Sequence, residues 1–152
     1  MARRAGRPVA RTFAFWDASA LVPLCVRQGI TPRVASLYDS YQVVVWWATP
    51  VEVAGALARL VRTGEINSSD RANARQVAVA LADEWLVIQP SDSLRARASQ
   101  LVDRYDLRAG DALQLAAALE WCENDPQDKV FLAADKKLRE AALLSGFDAK
   151  SI

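Results

Sequence analysis

Four acids stand where apolar runs stop or helices are about to start: Asp17 after residues 13–16, Glu52 after Thr49-Pro50-Val51, Asp111 after Leu107-Arg108-Ala109-Gly110, and Asp135 after residues 130–133. Their chemistry is narrowed by what the chain lacks. It has no histidine, and its two cysteines, Cys25 and Cys122, lie far apart with no CxxC spacing. That excludes a zinc site and any Cys/His or Ser/His nucleophile system. If the four carboxylates converge, two of them ~4 Å apart repel by about 4 kcal/mol at an effective dielectric of 20. A helix N-terminus returns only about 0.3–1 kcal/mol. Protons or a divalent cation must then neutralise the cluster. An all-oxygen donor set suits Mg²⁺ or Mn²⁺, which keep waters and take substrate phosphate oxygens. The chemistry this suggests is phosphodiester hydrolysis, with the ion polarising the phosphate and acidifying a water that a carboxylate orients or deprotonates. Ser19, two residues past Asp17, offers a supporting hydroxyl to such a site or, equally, a helix-start hydroxyl.

Each acid also has a purely structural reading. Glu52 completes a capping box with Thr49, Asp111 sits in a first helical turn facing the helix dipole, and Asp17 and Asp135 are plausible N-caps. Singly, these readings suffice. Together, the elements between them change the balance.

Residues 12–16 are apolar on both faces, as a central parallel strand is. A short helix over 18–26 follows, and Thr31-Pro32 opens a second helix with a cap and an N1 proline. Residues 42–47 form a second strand. The third helix starts at Thr49, carries Val53, Ala56, Leu57, Leu60 and Val61 at helical spacing, and ends at Gly64. A fourth helix after Ser68-Ser69-Asp70, a strand over 85–88, a fifth helix from Pro90-Ser91-Asp92 to Tyr105 and an alanine-rich sixth helix follow. A strand over 130–133, a seventh helix closing at Ser145-Gly146 and a short edge strand over 147–149 complete the chain. This alternation predicts an α/β domain with a mainly parallel sheet of four to five strands and about seven flanking helices. The carboxyl ends of parallel strands share one edge, where ligand sites form. Asp17 and Asp135 follow strands directly and Glu52 closely, whereas Asp111 depends on how the sixth helix packs.

Bulk composition fits one domain: 152 residues, 52% apolar and 24% charged. The net charge is +1, but Arg3, Arg4, Arg7 and Arg11 precede the first strand, and the remaining 15 basic residues meet 18 acidic ones, a balance of −3. Residues 1–11 read as a solvated, disordered basic arm, and residues 12–152 as the folded domain. Nucleic-acid contact must come from local patches or that arm. Asp17 and Pro23 break the first apolar run, so it does not read as an export signal, and no run reaches the ~18 apolar residues of a membrane span. Both cysteines read as small buried thiols of a reducing compartment, which predicts a cytoplasmic protein.

The segments FWDASALVPL, TPVEVAGALARL, LRAGDALQLAAAL and LAADKKLREAALLSGF, in this order over residues 12–149, resemble the PIN domain family and, within it, the VapC-type toxins of type II toxin–antitoxin systems. LRAGDALQLAAAL is the most specific match, being similar to the family's R-x-x-D-A-L-x-L-A-A-A segment. The resemblance implies a PIN-like nuclease domain in which Asp17, Glu52 and Asp111 are the core metal ligands and Asp135 a more variable fourth. It implies Mg²⁺- or Mn²⁺-dependent endoribonuclease activity, silencing by a cognate antitoxin, and a homodimer. It also supplies the placement of Asp111 that spacing leaves open. Gln114 departs from it, standing where many relatives have histidine, and the basic arm is longer than usual. Arg59, Arg62, Arg108, Lys136 and Lys137 are the candidate RNA phosphate contacts, each also readable as a solvated surface charge.

Two other readings compete. A phosphoacceptor receiver domain also gathers acids at strand ends around Mg²⁺, but it predicts an adjacent acid pair after the first strand, and Trp16-Asp17-Ala18 lacks it. A catalytically silent PIN-like module, binding RNA or protein only, would most simply have lost an acid, and all four are present.

Overall fold

The computed structural model describes residues 11–152. Apart from Arg11, the basic arm expected over residues 1–11 lies outside the described residues. The first strand, β1 (Thr12–Trp16), ends at Asp17 and leads into α1 (Ala18–Cys25), a 3-10 turn (Arg27–Gly29) and α2 (Pro32–Ser40). Then come β2 (Tyr41–Trp46), α3 (Thr49–Arg62), α4 (Ser68–Ala82) and β3 (Leu86–Ile88). The chain continues through α5 (Asp92–Tyr105), α6 (Ala109–Trp121), β4 (Val130–Leu132), α7 (Lys136–Ser145) and β5 (Asp148–Lys150). The strands pair in the order β3-β2-β1-β4-β5, and every pairing is parallel. The sheet thus sits at the upper bound of the expected strand number and is parallel throughout.

The reason β1 is central is written in its burial. Ala14, Phe15 and Trp16 are all fully buried, because successive side chains enter opposite layers. Phe15, Val44, Trp46 and Phe131 join the core beneath α5, α6 and α7, with the Phe15 and Phe131 rings stacked at 5.4 Å. Ala14, Trp16, Val43, Val45, Val130 and Leu132 join the other core, beneath α1 to α4. The sheet therefore has two helical layers, one built from the first half of the chain and one from the second.

Element ends follow local chemistry. Thr31 caps α2 by accepting from Val34 N, with Pro32 at its first position. Asn67 and Asp70 form a reciprocal capping box on α4, and Ser91 caps α5. At the end of α7 Gly146 takes φ +108°, a left-handed conformation open to glycine, and a Cβ there would meet Pro126 Cγ at 2.9 Å. The second strand stops one residue short of the expected Trp47. Trp46 is buried while Trp47 is 56% exposed, and their rings meet edge-on at 67° rather than forming one stacking surface. The last strand lies one residue later than expected, because Phe147 tucks into the core against Phe131.

Candidate active site

All carboxyl ends of the strands face one edge, and the strand order reverses direction between β1 and β4, its neighbour on the side away from β2. Ligands of open parallel sheets bind in the crevice at such a switch point. Asp17 directly follows β1, and Asp135 stands three residues past the end of β4.

These two acids are tied by strand-end loops. Asp17 is 5% exposed; its backbone N–H donates to Leu132 O at 2.9 Å, and its Oδ2 accepts from Ser19 N at 3.1 Å and Ser19 Oγ at 2.5 Å. Ser19 Oγ in turn accepts from Ala134 N at 2.9 Å. One hydroxyl therefore spans from the first acid to the loop carrying the fourth. Asp135 caps α7, its Oδ1 accepting from Leu138 N at 2.7 Å. Arg139 reaches back from α7 to donate to the carbonyls of Ala133 and Ala134 at 3.0 and 3.1 Å. The capping readings of Asp17 and Asp135 hold, and both acids nonetheless stand at the crevice.

The other pair is held differently. The capping box expected of Thr49 and Glu52 does not form. The N-cap of α3 is Ala48, which makes no side-chain cap bond, so Thr49 is already inside the first turn and fully buried. Thr49 Oγ1 instead accepts from Gln114 Nε2 at 3.2 Å, and the same amide donates to Glu52 Oε2 at 3.1 Å. Gln114 belongs to α6, on the opposite helical layer, one turn after Asp111. Residues three apart on a helix share a face, so the Thr49/Glu52 face of α3 meets the Asp111/Gln114 face of α6 past the end of the sheet.

Electrostatics register the convergence. Burial is the largest cause raising Asp17, Glu52 and Asp111 above ordinary carboxylate values, Glu52 to about 7 and Asp111 to about 6. Glu52 is raised further by the charges of Asp17 and Asp111, Asp111 by those of Asp135 and Asp17, and Asp17 by that of Asp135. Asp17 and Asp111 each lie within electrostatic reach of the other three acids. Ser19 opposes the shift at Asp17, Gln114 opposes it at Glu52, and Arg108 and Lys137 oppose it at Asp111.

Among the described residues, however, no three His, Cys, Asp or Glu side chains close into a ready metal cage. The acids lie within reach of one another's charge without forming a tight ligand shell, and a Mg²⁺ or Mn²⁺ ion held by them would keep several of its waters.

The basic candidates separate by position. Arg108 and Lys137 lie close enough to Asp111 for their charge to act on it, although Lys137 also pairs with exposed Asp106 at 2.9 Å. Lys136 pairs with Glu140 at 3.8 Å. Arg59 and Arg62 occupy the last turn of α3, about 10 and 15 Å along the helix axis from Glu52 at 1.5 Å per residue. Both cysteines are buried and free, as expected, and no helix among the described residues is long and apolar enough to cross a membrane.

Thr49, read in the sequence as a cap, Gln114, read there as a departure from the PIN pattern, and Arg139, which motif reading did not single out, are the supporting residues. For Gln114 a signal exists: an amide amid the apolar run Leu113, Leu115, Ala116, spaced i, i+3 from Asp111, facing a second polar i, i+3 pair on another apolar helix. Nothing comparable marks Arg139.

The parallel sheet in the order β3-β2-β1-β4-β5, two helical layers and acids at one carboxyl edge define a PIN-like α/β fold. Among solved structures, the chain is similar to FitAcB from Neisseria gonorrhoeae, at TM-score 0.61 and 17% identity over 90% of this chain and 97% of that one. It is similar to FitAB bound to an IR36 DNA fragment, at TM-score 0.62 and 15% identity over 91% and 94%. A toxin–antitoxin complex from Klebsiella pneumoniae matches at TM-score 0.57 and 17% identity over 82% and 88%. No protein-family model and no curated protein matches the sequence.

Proposed function

We propose that this chain is a metal-dependent endoribonuclease and acts as the toxin of a toxin–antitoxin pair. The observation that carries the nuclease reading is the meeting of Asp17, Glu52, Asp111 and Asp135 at the β1/β4 switch point, where burial and mutual charge raise three of them. A bound Mg²⁺ or Mn²⁺ would supply polarisation of the scissile phosphate and activation of water. Asp17, Glu52 and Asp111 are the residues to hold it, with Asp135 beside them, and since Gln114 occupies Glu52 Oε2, Oε1 is the oxygen left for the ion. Arg108 and Lys137 supply positive charge beside Asp111 for an incoming phosphate.

The toxin role and the antitoxin partner draw support from the shared fold, since one of the similar structures is a toxin–antitoxin complex from Klebsiella pneumoniae. RNA as substrate and self-association rest on the sequence resemblance. The test is cleavage of a mixed RNA substrate with and without Mg²⁺: product that requires the ion and disappears in Asp111→Asn supports the reading, and cleavage unchanged in that variant rejects it.

One observation favours a second reading. The acids do not close into a ready cage, as a catalytically silent module would allow. Such a module binds RNA or a protein partner and yields no metal-dependent product in the same assay.

A further inference from the structure

Gln114 is fully buried, and its amide is used unevenly. Both hydrogen bonds leave from Nε2, to Thr49 Oγ1 at 3.2 Å and Glu52 Oε2 at 3.1 Å, while Oε1 is buried without a partner. An orphaned buried acceptor is unfavourable, so core packing alone does not account for an amide here. What it does uniquely is cross from the α5–α7 layer to the α1–α4 layer and hold one particular oxygen of Glu52. Thr49, buried in the first turn of α3, receives the second N–H and so sets the rotation of the amide about its last bond. Glu52 has no other hydrogen bond from a side chain among the described residues.

We infer that Gln114 is a positioning residue, which orients Glu52 toward the cleft through its Nε2 and so sets the affinity of the acidic site for its divalent ion. This rests on the metal-dependent reading above. Groups that orient metal-binding side chains typically change metal affinity by 10–100-fold when removed. A residue that only glued α3 to α6 would change stability and leave affinity alone.

The experiment is Mn²⁺ titration of the full chain, read by electron paramagnetic resonance of the free ion, together with thermal melts of the metal-free protein. The variants are Gln114→Leu, Gln114→Met, Gln114→His, Glu52→Gln and the Glu52→Gln/Gln114→Leu double. Gln114→Leu leaves Thr49 and Glu52 without the amide N–H and should melt somewhat below the parent, and it should bind Mn²⁺ about 10–100-fold more weakly. Gln114→His, whose ring N–H can donate to the same carboxylate oxygen, should recover most of that loss. In the Glu52→Gln background the leucine substitution should cost nothing further, because the two residues act as one unit. Gln114→Met carries the same comparison should the leucine variant not fold. Parental Mn²⁺ affinity in Gln114→Leu, alongside weakened binding in Glu52→Gln, overturns the inference and leaves the metal reading standing. A full additional loss in the double variant overturns the action through Glu52. A parent chain that binds no Mn²⁺, or a Glu52→Gln variant that binds it unchanged, removes the metal reading and this inference together.

Discussion

The two sides of the acidic cleft are assembled by different means. On the Asp17/Asp135 side the ties are local or nearly so: each acid caps its own helix, and one hydroxyl, Ser19 Oγ, bridges the loops after two adjacent strands. On the Glu52/Asp111 side no cap forms, and the connection is a single amide reaching between helices of opposite layers, from residue 114 to residues 49 and 52. The first side is held by backbone groups that the fold must satisfy in any case. The second is held by side chains with no structural obligation to be polar. Removing a tie on the local side should therefore register as a stability change, and removing the cross-layer tie as a change in chemistry.

The largest expected effect is at the centre, where the sides meet. Asp111→Asn or Asp17→Asn should keep the fold and abolish Mg²⁺-dependent RNA cleavage, as judged by gel assay beside a circular dichroism spectrum. Loss of helical signal in step with activity would instead make these acids structural.

Next in size is the pH dependence of the metal-free chain. Glu52 rises from 4.5 to about 7 and Asp111 from 3.8 to about 6 in the folded state, so between about pH 4 and 7 the native state binds more protons than the unfolded one. Stability then falls as pH rises through that window and levels off above about 7. Melting temperature should drop between pH 5 and 8, Glu52→Gln should flatten the slope, and Mg²⁺ should restore stability mainly at pH 8. A melting temperature that climbs across this window would contradict raised carboxylates in the cleft.

Smaller again is the local side. Ser19→Ala leaves the Ala134 N–H and an Asp17 oxygen each short of a partner, which should cost about 1–3 kcal/mol in a denaturant titration. Arg139→Ala, which frees the carbonyls of Ala133 and Ala134, should cost less, about 1 kcal/mol. The smallest change is expected at Lys136 and Lys137, whose ion pairs with Glu140 and Asp106 are exposed. Alanine at either should leave the melting temperature almost unmoved, and a fall in RNA cleavage at Lys137 alone would separate a phosphate contact from a surface charge.

Much of this architecture is legible in the chain because its causes are short-range. The apolar strand at 12–16, the Thr31-Pro32 start of α2, the cap at Ser91 and the Gly146 stop each depend on a few neighbouring residues, and each appears where pattern predicts. Thr49 shows the limit. Its spacing to Glu52 is that of a capping box, yet α3 begins one residue earlier in effect, with Ala48 as its cap. Burial of Thr49 against α6 then gives its hydroxyl a different partner.

By itself, then, the sequence determined which four acids are available, which strands and helices carry them, and that parallel strands would bring two of them to one edge. Spacing left Asp111 open, with only the resemblance to place it, until the packing of α6 brought it within reach of the other acids, and tertiary structure alone decided that Gln114 grips Glu52. Caps and strand faces are decided within a few residues along the chain, whereas that grip spans 62 residues and exists only once α3 and α6 have packed on opposite faces of the same sheet.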